Sequence, residues 1–79
     1  MDEMETLNAE GQELLCSAEQ LPSGLFQAVV RRRMPPNGQI RTLVLGQEQH
    51  GAARIALEQA KALALQWADK QRSKEGGNA

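Results

Sequence analysis

Hydrophobic residues fall in two short runs on either side of an arginine-rich turn. The runs cover residues 25–30 and 40–45, and the turn between them contains three arginines followed by Pro-Pro and Asn-Gly. β-Branched and aromatic residues are typical of strands, and Pro and Asn-Gly are typical of tight turns. The pattern therefore predicts a β-hairpin, with Phe26, Ala28 and Val30 on the face that points towards the core.

The register of this hairpin follows from the length of its loop. If the loop spans residues 34–38, Arg31 lies opposite Arg41 and Val29 lies opposite Leu43. Two like charges directly across a ladder are unfavourable by up to about 1 kcal/mol. We therefore expect either a different register or an anionic group between the two arginines.

The clearest helical periodicity lies in residues 51–71. Placed at 100° per residue, apolar side chains fill one arc, and they are Ala52, Ala53, Ala56, Leu57, Ala60, Leu63, Ala64, Trp67 and Ala68. The segment therefore predicts a long amphipathic helix packed on a sheet. Ile55 and Leu65 fall outside the arc, so we expect them to be exposed or to meet a second subunit.

The segment of residues 12–20 fits two structures. As a helix, its apolar residues fall near one face together with Met4, Leu7 and Leu21. As a strand, Leu14, Cys16 and Ala18 alternate with Leu15, Ser17 and Glu19. Pro22 and Gly24 follow at once and form a turn before the next strand. We favour the strand, and a helix is the alternative.

These elements predict an α+β fold, which consists of a three-stranded antiparallel β-meander with one long C-terminal helix packed on one face. We expect residues 11–72 to form a single domain, residues 1–10 to be a flexible acidic segment, and residues 73–79 to be a disordered tail.

Three strands would leave open sheet edges and a sheet face without a covering element. That face would carry Val29, Leu43 and Leu45. Natural proteins cover or pair such surfaces, so we expect a homodimer that forms through a strand edge or through this face.

Composition places the chain among small proteins of the cytoplasm. It has 79 residues, a single cysteine and an acidic start unlike a signal peptide. No stretch approaches the roughly 20 apolar residues that span a bilayer. We therefore expect a cytoplasmic protein that does not insert into a membrane.

The net charge of −1 hides a strong segregation along the chain. Residues 1–23 contain six acidic residues and no Lys or Arg, whereas residues 24–47 contain four arginines and no acidic residue. The four are candidate partner-binding residues, and they are Arg31, Arg32, Arg33 and Arg41. Guanidinium groups offer several fixed donors to carboxylates or phosphates.

Three interpretations of the arginines are open. In the simplest one, the arginines form a solvated end of the hairpin, and the acidic N-terminal segment neutralises their charge. The leading functional hypothesis is a non-catalytic interaction module whose basic hairpin docks on an acidic partner protein. The alternative is a DNA-binding protein that uses the same hairpin, but a sequence pI near 5.8 and the absence of tyrosine argue against a general nucleic-acid binder.

Nothing in the sequence predicts an enzyme. Cys16 is expected to be a small core or interface residue and His50 a loop or capping residue, and one histidine with one cysteine cannot form the usual four-ligand zinc site. The glycines show no phosphate-binding or dinucleotide-binding spacing. We expect no catalytic residues, metal or cofactor.

One longer pattern resembles small uncharacterised bacterial proteins with a strand-strand-strand-helix order. It spans residues 18–69 and runs through Ala18-x-x-Leu21-Pro22-x-Gly24-x-Phe26-x-Ala28-x-Val30-x-Arg32-Arg33, then Leu43-Val44-x-Gly46, and then Ala60 to Asp69 with Trp67 and Ala68. The resemblance implies the fold order and no activity. Such proteins commonly have Phe and a Ser or Thr cap before the helix, whereas this chain has Gln47-Glu48-Gln49-His50.

Overall fold

The structure, a computed structural model, describes residues 3–76, with side chains described for residues 4–72. Its elements in chain order are strands β1 (Glu3–Ala9), β2 (Gln12–Gln20), β3 (Phe26–Met34) and β4 (Gln39–His50) and helix α1 (Ala53–Gly76). The strands form one antiparallel sheet in the order β1-β2-β3-β4, and α1 packs on one face of it. The α+β class, the antiparallel sheet and the C-terminal helix are as predicted.

The predicted number of strands is wrong, because the described residues form four strands and not three. The additional strand is β1, which lies in the segment expected to be flexible. Glu10 and Gly11 join it to β2 as a two-residue turn, and both residues have positive φ, 52° and 74°. Two consecutive left-handed residues give a type I′ turn, whose twist matches that of paired strands.

Residues 12–20 form a strand, as favoured over the helical alternative. β2 lies between β1 and β3, and its residues 14–18 are all buried. A strand with neighbours on both sides satisfies all its backbone hydrogen-bonding groups in the sheet. Residues 12–20, whose apolar spacing also suited a helix, therefore form a strand in the central part of the sheet.

The core lies between α1 and the sheet and is built from small side chains. Ala56, Ala60 and Ala64 of the helix have no exposed surface, and neither has Cys16 of β2. Alanine favours the helix and lets its backbone approach the strands closely. Ile55 and Leu65 are about half exposed, in agreement with their position outside the apolar arc.

The same close approach explains one buried glycine. Gly46 of β4 lies under α1, where an added Cβ would be 3.1 Å from both Ala28 Cβ and Gln59 Oε1. A side chain at this position would therefore require Ala28 and the Gln59 side chain to move by a few tenths of an ångström.

The register between β3 and β4 differs from the prediction. Arg31 lies opposite Thr42, Val29 lies opposite Leu45, and Arg41 lies opposite Arg32. The four-residue loop 35–38, whose Pro35–Pro36 bond is cis, shifts the pairing at the turn, and irregularities within the ladder shift it again.

These irregularities also change the face of one leucine. Leu43 was expected on the uncovered face, but it packs against the core between the sheet and the helix. It lies at the shift between the Val30–Val44 and Arg31–Thr42 pairs, where β4 has one more residue than β3. An unpaired residue of this kind changes the face to which the following side chains point.

The helix is longer than the sequence pattern indicated, because it ends at Gly76 and not near residue 71. The first residues of the expected disordered tail therefore belong to α1, and residues 77–79 lie outside the described residues. Within residues 3–76, α1 does not have the apolar length needed to span a membrane.

Candidate partner-binding surface

The sheet separates the four candidate arginines into two pairs. Side chains alternate between faces along a strand, so Arg31 and Arg33 lie on the face away from the helix, whereas Arg32 lies on the helix side. Arg41 lies directly opposite Arg32 in the β3–β4 ladder and shares its side of the sheet. The hairpin therefore does not present one continuous arginine cluster.

Arg31 and Arg33 are both engaged within the chain. Arg31 forms an ion pair with Glu19, and the Arg33 Nε lies 3.4 Å from Glu13 Oε2. Both acids belong to β2, the strand that neighbours β3. Acidic side chains of the N-terminal half thus neutralise these two arginines, which fits the interpretation that gave them no partner outside the chain.

Two further acids are held by the helix. Lys61 Nζ lies 3.1 Å from Glu5 Oε2, and Arg72 lies 3.5 Å from Glu10. The hydrogen bond from Lys61 to Glu5 raises the pKa of Lys61 above its ordinary value, with the charges of Glu5 and Glu58 adding to the effect. These ion pairs connect α1 to β1 and to the turn that follows β1. Their carboxylates come from the acidic N-terminal segment.

Arg32 and Arg41 have no such partner. Among the side chains of residues 4–72, no carboxylate lies within ion-pair distance of either guanidinium. The Nε of Arg32 is buried and has no hydrogen-bond acceptor. Arg41 is exposed. The structure therefore places two like charges opposite each other without a compensating acid, and leaves one of them with an unsatisfied buried donor.

A groove between α1 and β4 lies on the same side of the sheet as this pair. Its volume is about 140 Å³, and its lining residues are Val44, Leu63, Gln66, Trp67 and Lys70. The Val30–Val44 and Arg32–Arg41 pairs both lie on the helix side of the sheet, and the Arg31–Thr42 pair and the unpaired Leu43 separate them along the ladder. We call Arg32, Arg41 and Lys70, together with the apolar groove formed by Val44 and Trp67, the cationic groove.

Lys70 adds a third positive charge to this surface. It is exposed, and no described carboxylate lies within ion-pair distance of its amine. The acidic residues Glu58 and Asp69 of α1 instead pair with Lys61 and Arg72, the two cations that face β1. The cationic groove therefore has one sign of charge beside an apolar surface.

Cys16 and His50 lie apart from the groove. Cys16 is fully buried in the core, where burial raises the pKa of its thiol and Glu5 raises it further, while Lys61 acts in the opposite direction. His50 ends β4 and does not lie in a loop, and its Nε2 is 2.7 Å from Oε1 of Gln59. This contact joins the sheet to the first turns of the helix.

No group of three or more His, Cys, Asp or Glu side chains that could hold a metal ion occurs within the described part of the chain. The residues that sequence reasoning missed are those contributed by the helix. Trp67 packs against the core as predicted and also lines the groove, and Lys70, which was not among the predicted site residues, lines it as well. Their spacing of three residues, which places them on one side of a helix, was the available signal.

No protein family model, no curated protein and no solved structure matches this chain.

Proposed function

We propose that this protein is a non-catalytic interaction module whose cationic groove binds an acidic segment of a partner protein. The observation that carries the proposal is the Arg32–Arg41 pair, two arginines at opposite ladder positions. Among the side chains of residues 4–72, neither has a carboxylate within ion-pair distance, and the buried Nε of Arg32 lacks an acceptor.

An anionic group from a partner would relieve both costs of this arrangement. Like charges opposite each other in a ladder are unfavourable, and a buried donor without an acceptor is more unfavourable still. A carboxylate between Arg32 and Arg41 would separate the two charges and accept hydrogen bonds from planar guanidinium groups. Binding would thus be favoured in part because it removes the charge repulsion and the unsatisfied donor of the free protein.

The apolar part of the groove favours a protein partner over DNA. Val44 and Trp67 offer a surface for one apolar side chain beside Lys70, and the Arg32–Arg41 pair lies on the same side of the sheet. A phosphate backbone would instead favour a long basic stripe, but Arg31 and Arg33 are already paired with Glu19 and Glu13. The net charge of −1 also opposes general attraction to nucleic acid.

The test is a titration with a short peptide that contains several glutamates and one leucine. Trp67 is the only tryptophan and lines the groove, so its fluorescence reports binding directly. Arg41→Gln and Arg32→Gln are each expected to weaken binding about tenfold, which corresponds to the loss of one charge-assisted contact. Arg33→Gln is the matched control, because it removes the same charge from an arginine that already has a partner.

Equal weakening by all three substitutions would contradict the proposal, since it would show attraction to net charge alone. A DNA duplex titrated at low salt provides the second arm of the experiment. Binding of the duplex with a steep salt dependence, together with no response to the peptide, would replace the proposal with the DNA-binding alternative.

A further inference from the structure

We infer that the sheet face opposite α1 is a self-complementary surface and that a second copy of this chain covers it. We call this the uncovered face, because no described element packs on it. It contains apolar side chains from all four strands, which are Met4, Leu15, Val29, Ile40 and Leu45.

The apolar residues of this face include the more exposed ones of the sheet. Met4 is 64%, Leu45 is 55% and Ile40 is 47% exposed. Large exposed apolar side chains that share one face of a sheet form a surface that gains stability when it is covered. Met4 lies on β1, whereas Ile40 and Leu45 lie on β4, so the exposed apolar side chains occupy both edges of this face, on either side of the charged side chains of β2 and β3.

The charges on the uncovered face indicate which partner covers it. Glu13 and Glu19 lie on β2, and Arg31 and Arg33 lie on the neighbouring β3. The four charges sum to zero, and the two signs occupy adjacent strands. A partner surface with one sign of charge would be attracted by one strand and repelled by the other.

A second copy matches this distribution through two-fold symmetry. An axis that runs along the strands between β2 and β3 places β2 of one copy over β3 of the other. Glu13 and Arg33 flank the paired Leu14 and Arg32, so the axis brings Glu13 of each copy over Arg33 of its partner. Each acidic strand then faces a basic strand in both halves of the interface.

This geometry corresponds to a common way in which two sheets pack. The strands of the two copies would be nearly aligned, as in β-sandwiches, with the sheets about 10 Å apart and the helices outside. The cationic groove lies on the helix side and stays accessible in such a dimer. The inference is therefore independent of the proposed function, and either can fail without the other.

Sedimentation velocity over a range of concentrations tests the dimer with the full chain. At about 100 μM we expect the wild-type chain to sediment as a dimer. Leu45→Glu should raise the dissociation constant about a hundredfold or more, because symmetry places the substitution in the interface twice. Leu65→Glu is the matched control, since Leu65 is exposed to a similar degree on the helix and should leave dimerisation unchanged.

Charge exchange gives a second test that does not depend on one apolar residue. In one variant Glu13 and Glu19 are both replaced by Arg, and in the other Arg31 and Arg33 are both replaced by Glu. Each variant alone would carry four like charges on the uncovered face and should be monomeric. An equimolar mixture should form a heterodimer, because opposite charges then meet across the interface.

Circular dichroism on each variant establishes that its fold is intact before sedimentation. A folded wild-type chain that is monomeric at about 100 μM would overturn the inference, as would a dimer that Leu45→Glu leaves unchanged. Folded charge-exchange variants that remain monomeric when mixed would overturn the proposed two-fold arrangement. Peptide binding at the cationic groove is measured separately, so its result does not affect this one.

Discussion

The ion pair between Arg31 and Glu19 lies across the strand pair formed by Ser17 and Val29. Arg31 follows Val29 by two residues on the same face, and Glu19 follows Ser17 by two residues on β2. Val29 is only 1% and Ser17 only 5% exposed, although no helix covers this face. The charged side chains therefore shield the centre of the sheet with their aliphatic parts.

Loss of this ion pair should destabilise the protein only modestly. About a third of each side chain is exposed, so solvent screens the attraction, and we expect a coupling of about 1 kcal/mol or less between Arg31 and Glu19. A double-mutant cycle of Arg31→Ala and Glu19→Gln, measured by urea unfolding, gives this value. Arg31→Ala alone should have the larger effect, because it also exposes Val29. A coupling well above that range would contradict this view of a screened pair.

Substitution of Gly46 should be harmful even with alanine. The added Cβ would lie 3.1 Å from Ala28 Cβ and 3.3 Å from the Ala28 carbonyl oxygen, and this contact is with backbone that cannot move freely. We expect Gly46→Ala to lower the free energy of unfolding by about 1–3 kcal/mol, as for other overpacked sites. Gly51→Ala is the control, since nothing lies within 4 Å of its Cβ position. Similar losses in both variants would refute the close-packing explanation.

The alanines under α1 should not tolerate larger side chains. Ala64 has no exposed surface, whereas Ala62 lies on the exposed side of the same helix. Ala64→Leu is expected to lower the midpoint of thermal unfolding, by an amount equivalent to about 1–3 kcal/mol. Ala62→Leu should change it little, because both residues favour helices. The comparison separates packing from helix propensity.

Alkaline pH should destabilise the protein through Cys16. The folded state raises the pKa of the thiol above 9.0, so the thiol keeps its proton more tightly in the folded than in the unfolded chain. Stability is therefore unaffected well below pH 9 and falls as the pH rises above about 9, where only the unfolded chain has lost the proton.

Urea unfolding at several pH values tests this expectation against Cys16→Ala. The substitution leaves a cavity that lowers stability at every pH, so the comparison uses the change with pH and not the absolute value. Lys61, whose raised pKa also favours the folded state below its titration range, is present in both proteins. Parallel pH profiles would show that Cys16 does not contribute.

The sequence was sufficient for the elements with a strong apolar pattern. The hairpin of β3 and β4 and the helix could be predicted because their buried residues repeat with the period of a strand or a helix. β1 was not predicted, because the acidic residues in this edge strand make its apolar pattern weak. Its signal was the two-residue turn at Glu10 and Gly11, a glycine-containing turn of the length that joins paired strands.

The candidate site was predictable only in part. Arg32 and Arg41 were among the selected residues, but the sequence could not show that their neighbours Arg31 and Arg33 are paired with acids of β2. That distinction depends on the register between β3 and β4, which is set by the loop length and by the irregular pairing of β4 together. The contribution of Lys70 depends on where the helix crosses the sheet, which no local pattern encodes.

The nearest-neighbour order of the four strands also bears on how the chain reaches its structure. Every strand pairs with the strand next to it in sequence, so each pairing closes a short loop. Short loops of this kind cost less chain entropy to close than the crossover connections of a sheet whose neighbours are distant in sequence. The helix, which follows all four strands in the chain, contacts each of them, so it joins the three hairpins in one core.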